Sequence, residues 1–251
     1  MISVVIPCHN YGRYLPEAVA SIDGQTRRAD EIVIVDDGSS DDTARTIEDL
    51  RACRTGLIAV SRSPARGAAT TFNDAVRASH GDLIVILSAD DRLSPQYLER
   101  LAGVLDADPA LDFAYCEARL FGSVERTETA PPFDSRELAR GNFINGSAMF
   151  RRKLFDRVGG FRTDFGAWED WEFWLHAVAL GYRGRAVDGC WLEYRRHTNG
   201  SRNSITSATA LRTRLRLWRL HPGTVRSEDV AIAVLRGLAR RAGAGRSFVR
   251  A

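Results

Sequence analysis

Lysine is almost missing from this chain: Lys153 is the only one, so nearly all positive charge is arginine. That suits phosphate binding, and a skewed genome composition explains it equally well. No C-x-x-C pair occurs. Cys8, Cys53, Cys116 and Cys190 are scattered, which argues against a disulfide framework or zinc site and for reduced, buried thiols. No apolar stretch approaches the roughly 20 residues that span a bilayer. Met1 runs straight into an apolar segment without a basic n-region or cleavage site, so no signal peptide is expected and a cytoplasmic location is. Internal repeats and low-complexity segments are also absent.

What is present is a globular composition, 44% apolar and 27% charged, the balance of a water-soluble domain. At 251 residues the chain is long for one compact domain and short for two. Its charge is uneven. From Ser207 to Ala251 ten arginines stand against Glu228 and Asp229, a net +8; the whole chain carries +3, so residues 1–206 carry −5. An acidic body with a basic tail speaks to partners and not to fold.

Strand and helix patterns alternate through the first half. Strands are expected at Ile2–Ile6, Glu31–Val35, Leu57–Val60 and Asp82–Leu87, with helices at Tyr14–Ile22, Asp41–Leu50 and Ala68–Ala78. A further helix should open at Ser94-Pro95, a cap followed by proline in the first turn, and run to about Leu105. This alternation implies right-handed βαβ units on one parallel sheet. After Asp108-Pro109 the rhythm changes. Strands are expected at Leu111–Leu120 and Asn145–Phe150, a polar loop at Ser123–Asp134, and helices at Arg152–Val158 and Trp168–Leu180. Two basic amphipathic helices should follow from about Ala208, parted near Pro222-Gly223.

Two acidic pairs close apolar runs: Ile32-Val33-Ile34-Val35-Asp36-Asp37-Gly38-Ser39 and Leu83-Ile84-Val85-Ile86-Leu87-Ser88-Ala89-Asp90-Asp91. In open α/β sheets ligands sit outside the carboxyl ends of the strands, where strand order reverses. Four carboxylates at that edge are costly unless something positive or hydrogen-bonding meets them. A divalent metal carrying a diphosphate, with a sugar and a base to hold, accounts for all four. Each pair also reads as an ordinary turn or helix cap. A third acidic cluster, Glu169-Asp170-Glu172, stands among Trp168, Trp171 and Trp174. Glu169 and Asp170 project about 100° apart on a helix, so one can take a proton while the other anchors an acceptor. Their bland reading is a helix N-terminus favouring acids.

Several of these motifs, in this order, resemble the family 2 glycosyltransferases of GT-A fold: Val4-Val5-Ile6-Pro7-Cys8-His9-Asn10, Val35-Asp36-Asp37-Gly38-Ser39-Ser40-Asp41, Asp90-Asp91, Asn145-Gly146-Ser147-Ala148-Met149, Gly159-Gly160-Phe161, Trp168-Glu169-Asp170-Trp171 and Tyr194-Arg195-Arg196-His197. The likeness covers about residues 2–203. It implies an α/β, Rossmann-like nucleotide-diphospho-sugar transferase fold with a mainly parallel central sheet and a helical tail. Residues 1–110 would form a nucleotide-binding half, 111–206 an acceptor half, and 207–251 a basic extension.

The resemblance further implies that Asp37 accepts from the imide N–H of a uracil-like base lined by Pro7 and His9. Tyrosine is commoner in the family where His9 stands. Asp90 would lie near the ribose, with Asp91 and His197 on a Mg²⁺ or Mn²⁺ ion, since hard cations take one or two carboxylates plus substrate phosphates. Arg66 is a candidate phosphate contact, and Phe72 stands where relatives often have arginine. Asp170 is implied as the base that deprotonates an acceptor hydroxyl, with burial raising its pKa. Glu169 and Trp171 are candidate acceptor contacts, although tryptophans more often pack in a core. The reaction implied is inverting transfer of one sugar from a nucleotide diphosphate sugar, UDP-linked by default, to a saccharide, lipid-linked or other hydroxyl acceptor in cell-surface glycan synthesis. The Q-x-x-R-W motif and membrane helices of processive relatives are missing. Two alternatives stand beside this one: a non-catalytic nucleotide-sugar binder, and a sugar nucleotidyltransferase, whose usual G-x-G-T-R-like loop is replaced by Pro7-Cys8-His9-Asn10-Tyr11-Gly12. The tail offers Leu211, Leu215 and Trp218 with arginines for a peripheral contact with an anionic membrane, or simply packs on the domain. Nucleic acid is not an expected partner.

Overall fold

A computed structural model describes residues 1–165, 168–198 and 207–241. β1 (Ile2–Cys8) leads through a 3-10 turn at Gly12–Tyr14 into α1 (Leu15–Asp23). Then come β2 (Glu31–Asp37), α2 (Thr43–Cys53), β3 (Leu57–Arg62), α3 (Ala68–Ala78), β4 (Leu83–Ile86), β5 (Arg92–Leu93) and α4 (Tyr97–Ala107). β6 (Phe113–Gly122), β7 (Arg126–Glu128), α5 (Ser135–Arg140), β8 (Met149–Arg151), α6 (Arg152–Val158) and α7 (Glu169–Ala179) follow. β9 (Gly184–Arg196), α8 (Ser207–Leu220) and α9 (Ser227–Arg241) complete the described residues.

The sheet runs β3-β2-β1-β4-β8-β6-β9-β5, with β7 paired to β6. β3, β2, β1 and β4 are mutually parallel, β8 is antiparallel to both neighbours, and β9 is parallel to β6. The chain steps outward from β1 to β3 and then returns to the other side of β1 at β4. Strand order therefore reverses between β1 and β4, and this is where such sheets open a crevice. Side chains alternate across it: Ile2, Val4, Ile6 and Cys8 pack into one core layer and Val5 into the other, the period-two signature of a strand covered on both faces.

Several elements differ from expectation: β5 and α5 were not expected, and the strand expected at Asn145–Phe150 is confined to β8. Helix α4 starts at Tyr97, because the Ser94 hydroxyl accepts from the Trp191 N–H at 3.0 Å instead of capping the helix. The polar stretch at 123–134 contains β7. The long β9 carries no clean alternation, since its register against β6 slips between Tyr115 and Glu117 and five of its residues are charged. The basic tail packs on the domain: Leu217, Val225 and Val230 are buried, and Arg140 of α5 meets the fully buried Asp229 at 3.0 Å. Residues 199–206 and 242–251, which include the expected tail boundary and the chain's end, lie outside the described residues.

Candidate active site

The crevice is built first from the end of β2. Register places Pro7 beside Val35 and Cys8 beside Asp36, with Asp37 beside Arg62. Asp36 Oδ1 accepts from the Ser39 N–H at 3.0 Å. Gly38 adopts φ 68°, and a Cβ there would sit 2.8 Å from the Ala65 backbone nitrogen, so the turn requires glycine. Asp37 is 4% exposed. Its two oxygens accept from the backbone N–H groups of Arg66 and Gly67, each at 2.8 Å. This carboxylate therefore fastens the loop after β3 to the end of β2, and a base would meet only its remaining lone pairs. His9 is exposed; its Nδ1 lies 2.8 Å from the Asp37 carbonyl, and its Nε2 lies 3.2 Å from the Asn10 amide. A carbonyl only accepts, so this network assigns the proton to Nδ1. Arg66 projects outward, and Asp74 gathers Arg62, Arg66 and Arg77 around it.

The second acidic pair follows β4. Asp91 is 2% exposed, and its Oδ1 accepts from the Arg195 N–H at 2.8 Å. Burial, and next the neighbouring Asp90 carboxylate, push Asp91 well above the usual carboxylate range, against hydrogen bonds from Arg195 and Ser88. Asp90 Oδ2 lies 2.8 Å from His197 Nε2. A carboxylate is an acceptor, so Nε2 carries the proton there. The His197 ring is flanked by Tyr11 and Tyr14, with centroids at 5.7 and 5.5 Å. Arg195 holds the arrangement: its Nε donates to the Asp90 carbonyl at 2.9 Å, an Nη donates to Glu17 at 2.5 Å, and its guanidinium lies 4.7 Å from the Tyr14 centroid. The sequence points to Asp90, Asp91 and His197 but not to Arg195, although Arg195 lies in the same Tyr194-Arg195-Arg196-His197 run.

Asp170 sits in the first turn of α7. Its Oδ2 accepts from the Asn142 side chain at 2.9 Å and its Oδ1 from the Trp171 N–H at 2.8 Å. Burial, then the charge of Glu169, raise its pKa to about 6, and these two hydrogen bonds oppose the rise. Glu169 and Trp171 are buried, at 7% and 2% exposure. The Trp171 indole donates to the Leu138 carbonyl at 2.7 Å, and Trp174 packs against Phe113, Phe150 and Phe173. The tryptophans at 171 and 174 thus anchor the helix inside the core, and a buried ring presents no face to a sugar. Asn142 belongs to the loop before β8. Ser147 of the same loop accepts from Tyr97 Oη at 2.9 Å, tying it to α4, which follows Asp90-Asp91. No local pattern marks Asn142. Asn73 is a similar case: its amide brackets Phe161 through bonds of 2.8 and 2.7 Å, fixing the Gly159-Gly160-Phe161 turn.

A family model described as glycosyl transferase family 2 matches residues 3–163, more than half of the chain. The chain belongs to that family. This glycosyltransferase is 28% identical over 223 residues to an uncharacterised glycosyltransferase of Nostoc sp., covering 83% of this chain and 69% of the relative. Among solved structures, S. aureus TarS 1–349 in complex with UDP-GlcNAc superposes with a TM-score of 0.76 at 19% identity, over 98% of this chain and 73% of that one. The mannosyltransferase PcManGT of Pyrobaculum calidifontis, in complex with GDP-Man and Mn²⁺, gives 0.68 at 22% identity, over 98% and 76%. At these identities the two neighbours speak for the fold, which is the GT-A type of glycosyltransferases, as expected.

The donor set suits a hard divalent cation in kind: two carboxylates after β4 and an imidazole after β9, with Asp90 and His197 already 2.8 Å apart. Among the described residues no three such groups converge into a cage, and sites that take Mg²⁺ through one or two carboxylates and the substrate's phosphates do not need one. Asp91 and His197 are the side chains that would hold such an ion.

Proposed function

We propose that the chain transfers one sugar from a nucleotide diphosphate sugar to an acceptor hydroxyl with inversion at the anomeric carbon. Asp170 carries the reading: it is a carboxylate in a first helical turn, held by two N–H donors and titrating near 6, where a general base works best at near-neutral pH. The acceptor oxygen attacks the anomeric carbon as its proton passes to an Asp170 oxygen. The bond from that carbon to the diphosphate breaks, and the nucleoside diphosphate leaves with the electron pair. Asp37, Pro7 and His9 border the base, Asp90 the ribose, and Arg66 would meet the phosphates on leaving Asp74. Asp91 and His197 would hold a Mg²⁺ or Mn²⁺ ion, whose charge would stabilise the departing diphosphate. Glu169 acts chiefly on Asp170, by keeping its proton affinity high, and Trp171 by fixing the helix.

On the acceptor side, the outward face of α8 leaves Leu211 and Trp218 exposed, at 41% and 37%, beside exposed Arg212 and Arg219. That face supports a peripheral contact with an anionic membrane that carries a lipid-linked acceptor. Flotation with anionic vesicles tests it: the parent should co-float and the Leu211→Ser, Trp218→Ser double variant should not, whereas equal partition dismisses the contact. The donor is tested by thermal shift with UDP, GDP and dTDP, each with and without Mn²⁺. A ligand that binds only the native state raises Tm, so a rise with one nucleotide plus metal supports the reading and no rise with any of them sinks it. A non-catalytic binder would show the same rise but no transfer.

A further inference from the structure

We infer that Arg214, on the C-terminal helix α8, is a positioning residue for the base at Asp170, so that the basic tail forms a working wall of the active site. The inference rests on the reading of Asp170 as the base. Its starting point is Trp168, immediately before α7, which adopts φ 63° and ψ 28°, a left-handed conformation that bulky side chains rarely enter. Such a conformation persists only where the surroundings over-determine it. The Arg214 guanidinium supplies that constraint. Its carbon lies 5.1 Å from the Trp168 ring centroid and 5.8 Å from that of Trp171, and the two indoles stand edge-on at 5.4 Å. Arg214 therefore fills the corner between the two rings that flank Glu169 and Asp170, within the distance at which a cation is attracted to an aromatic face.

Two neighbouring contacts press the same helix on the same stretch. Arg216 donates to the Asp164 carbonyl at 2.6 Å and lies 4.9 Å from the Phe165 centroid. His221 Nε2 lies 2.9 Å from a Glu172 oxygen, both side chains being nearly buried. Arg214 and Leu217 lie three residues apart on one side of α8, Leu217 is 1% exposed, and His221 follows the helix directly, its N–H donating to the Leu217 carbonyl at 2.9 Å. The tail thus holds the chain ahead of α7 at Asp164 and Phe165 and α7 itself at Trp171 and Glu172, while Asn142 holds the carboxylate itself from the opposite loop. Displacing a reacting group by about 1 Å can cost about 100-fold in rate, so loosening the Trp168 turn should be felt in turnover before donor binding.

The test uses the full-length chain and measures kcat, donor KM, donor Kd and Tm for Arg214→Ala, Arg214→Lys and the control Arg28→Ala, an exposed arginine in the loop that enters β2. The expected result is a kcat about 10- to 100-fold lower in Arg214→Ala with donor Kd within twofold, partial recovery in Arg214→Lys, and parental behaviour in Arg28→Ala. Parental kcat in Arg214→Ala would overturn the inference, as would a joint loss of kcat, donor binding and Tm, or a lysine variant no better than the alanine one. Asp170→Asn, assayed alongside, keeps the two ideas apart. If it is inactive while Arg214→Ala is unimpaired, only the positioning role fails; if it transfers at the parental rate, the base assignment itself is lost.

Discussion

The side-chain amide of Asn142 donates to Oδ2 of Asp170 at 2.9 Å, reaching from the loop before β8 to the first turn of α7. A hydrogen bond to the charged form of a carboxyl lowers its pKa, so Asn142 sets how far burial and Glu169 can raise Asp170. Replacing Asn142 by Ala should raise that pKa beyond about 6. The acidic limb of the kcat/KM profile should then move to higher pH, with a several-fold loss at pH 6 and little loss at pH 8. A limb that stayed in place or moved down would show that another group governs it.

Asp170 should also cost the folded state stability. Its folded pKa of about 6 lies above the ordinary 3.8, so below 3.8 both states are protonated and the penalty vanishes. Between those values the penalty grows, and above 6 it is complete, at most about 3 kcal/mol at 1.36 kcal/mol per pH unit. Asp170→Asn should therefore melt a few degrees higher than the parent at pH 7.5, at 2–4 °C per kcal/mol, and the gain should fade by pH 4. Calorimetry at both pH values decides it; a lower Tm at pH 7.5 would contradict the assignment.

Asp91 is buried next to another carboxylate, and burial holds its pKa high. Asp91→Asn should raise the Tm of the metal-free chain and abolish any further rise with nucleotide plus Mn²⁺. Chelation by EDTA should reduce the parent to its metal-free Tm. An Asp91→Asn chain that still gained stability from nucleotide plus Mn²⁺ would remove Asp91 from the cation site.

Glu31 makes a structural counterpart, far from the proposed chemistry. Its buried carboxylate accepts from Ser3 Oγ at 2.5 Å and Gly81 N–H at 3.2 Å and lies 3.0 Å from His80 Nδ1, joining β1, β2 and the entry to β4. Burial alone would raise its pKa, yet bonds led by the His80 N–H and the Ser3 hydroxyl outweigh it and lower the pKa below 4.5. Its contribution is present above 4.5 and is lost as pH falls through the lowered value. Glu31→Gln should cost about 1.5–3 kcal/mol at neutral pH with nucleotide binding retained. Denaturant titration at pH 7 and pH 3 should show the difference between parent and variant shrinking at the lower pH.

Much of this was legible in the sequence where the physics is local. Ile32–Val35 and Leu83–Ile86 are short β-branched runs buried on both faces, and Ala68–Ala78 has helical spacing, so the parallel strands β1 to β4 and helix α3 were expected nearly where they stand. β9 was not, because a register slip and five charged residues hide its alternation. α5 was hidden behind a proline pair, and its cap, Asp134, accepting from Arg136 and Glu137 N–H groups at 2.7 and 3.2 Å, becomes visible only in three dimensions. The same holds at the site. Asp90, Asp91, His197 and Asp170, the residues proposed for the chemistry, stand out in the sequence as charges in motifs, whereas Asn142 and Arg214 make their contacts 28 residues and more along the chain. Trp171 shows the converse: motif membership suggested a surface for sugar, and tertiary packing put the ring in the core.

Transfer by Asp170→Asn at saturating donor and Mn²⁺ tests the central claim most directly. The account predicts a rate at least about 10²-fold lower, the scale of general-base catalysis, with donor affinity unchanged because the proposed base acts on the acceptor's proton and not on the nucleotide. Parental turnover in that variant would contradict it.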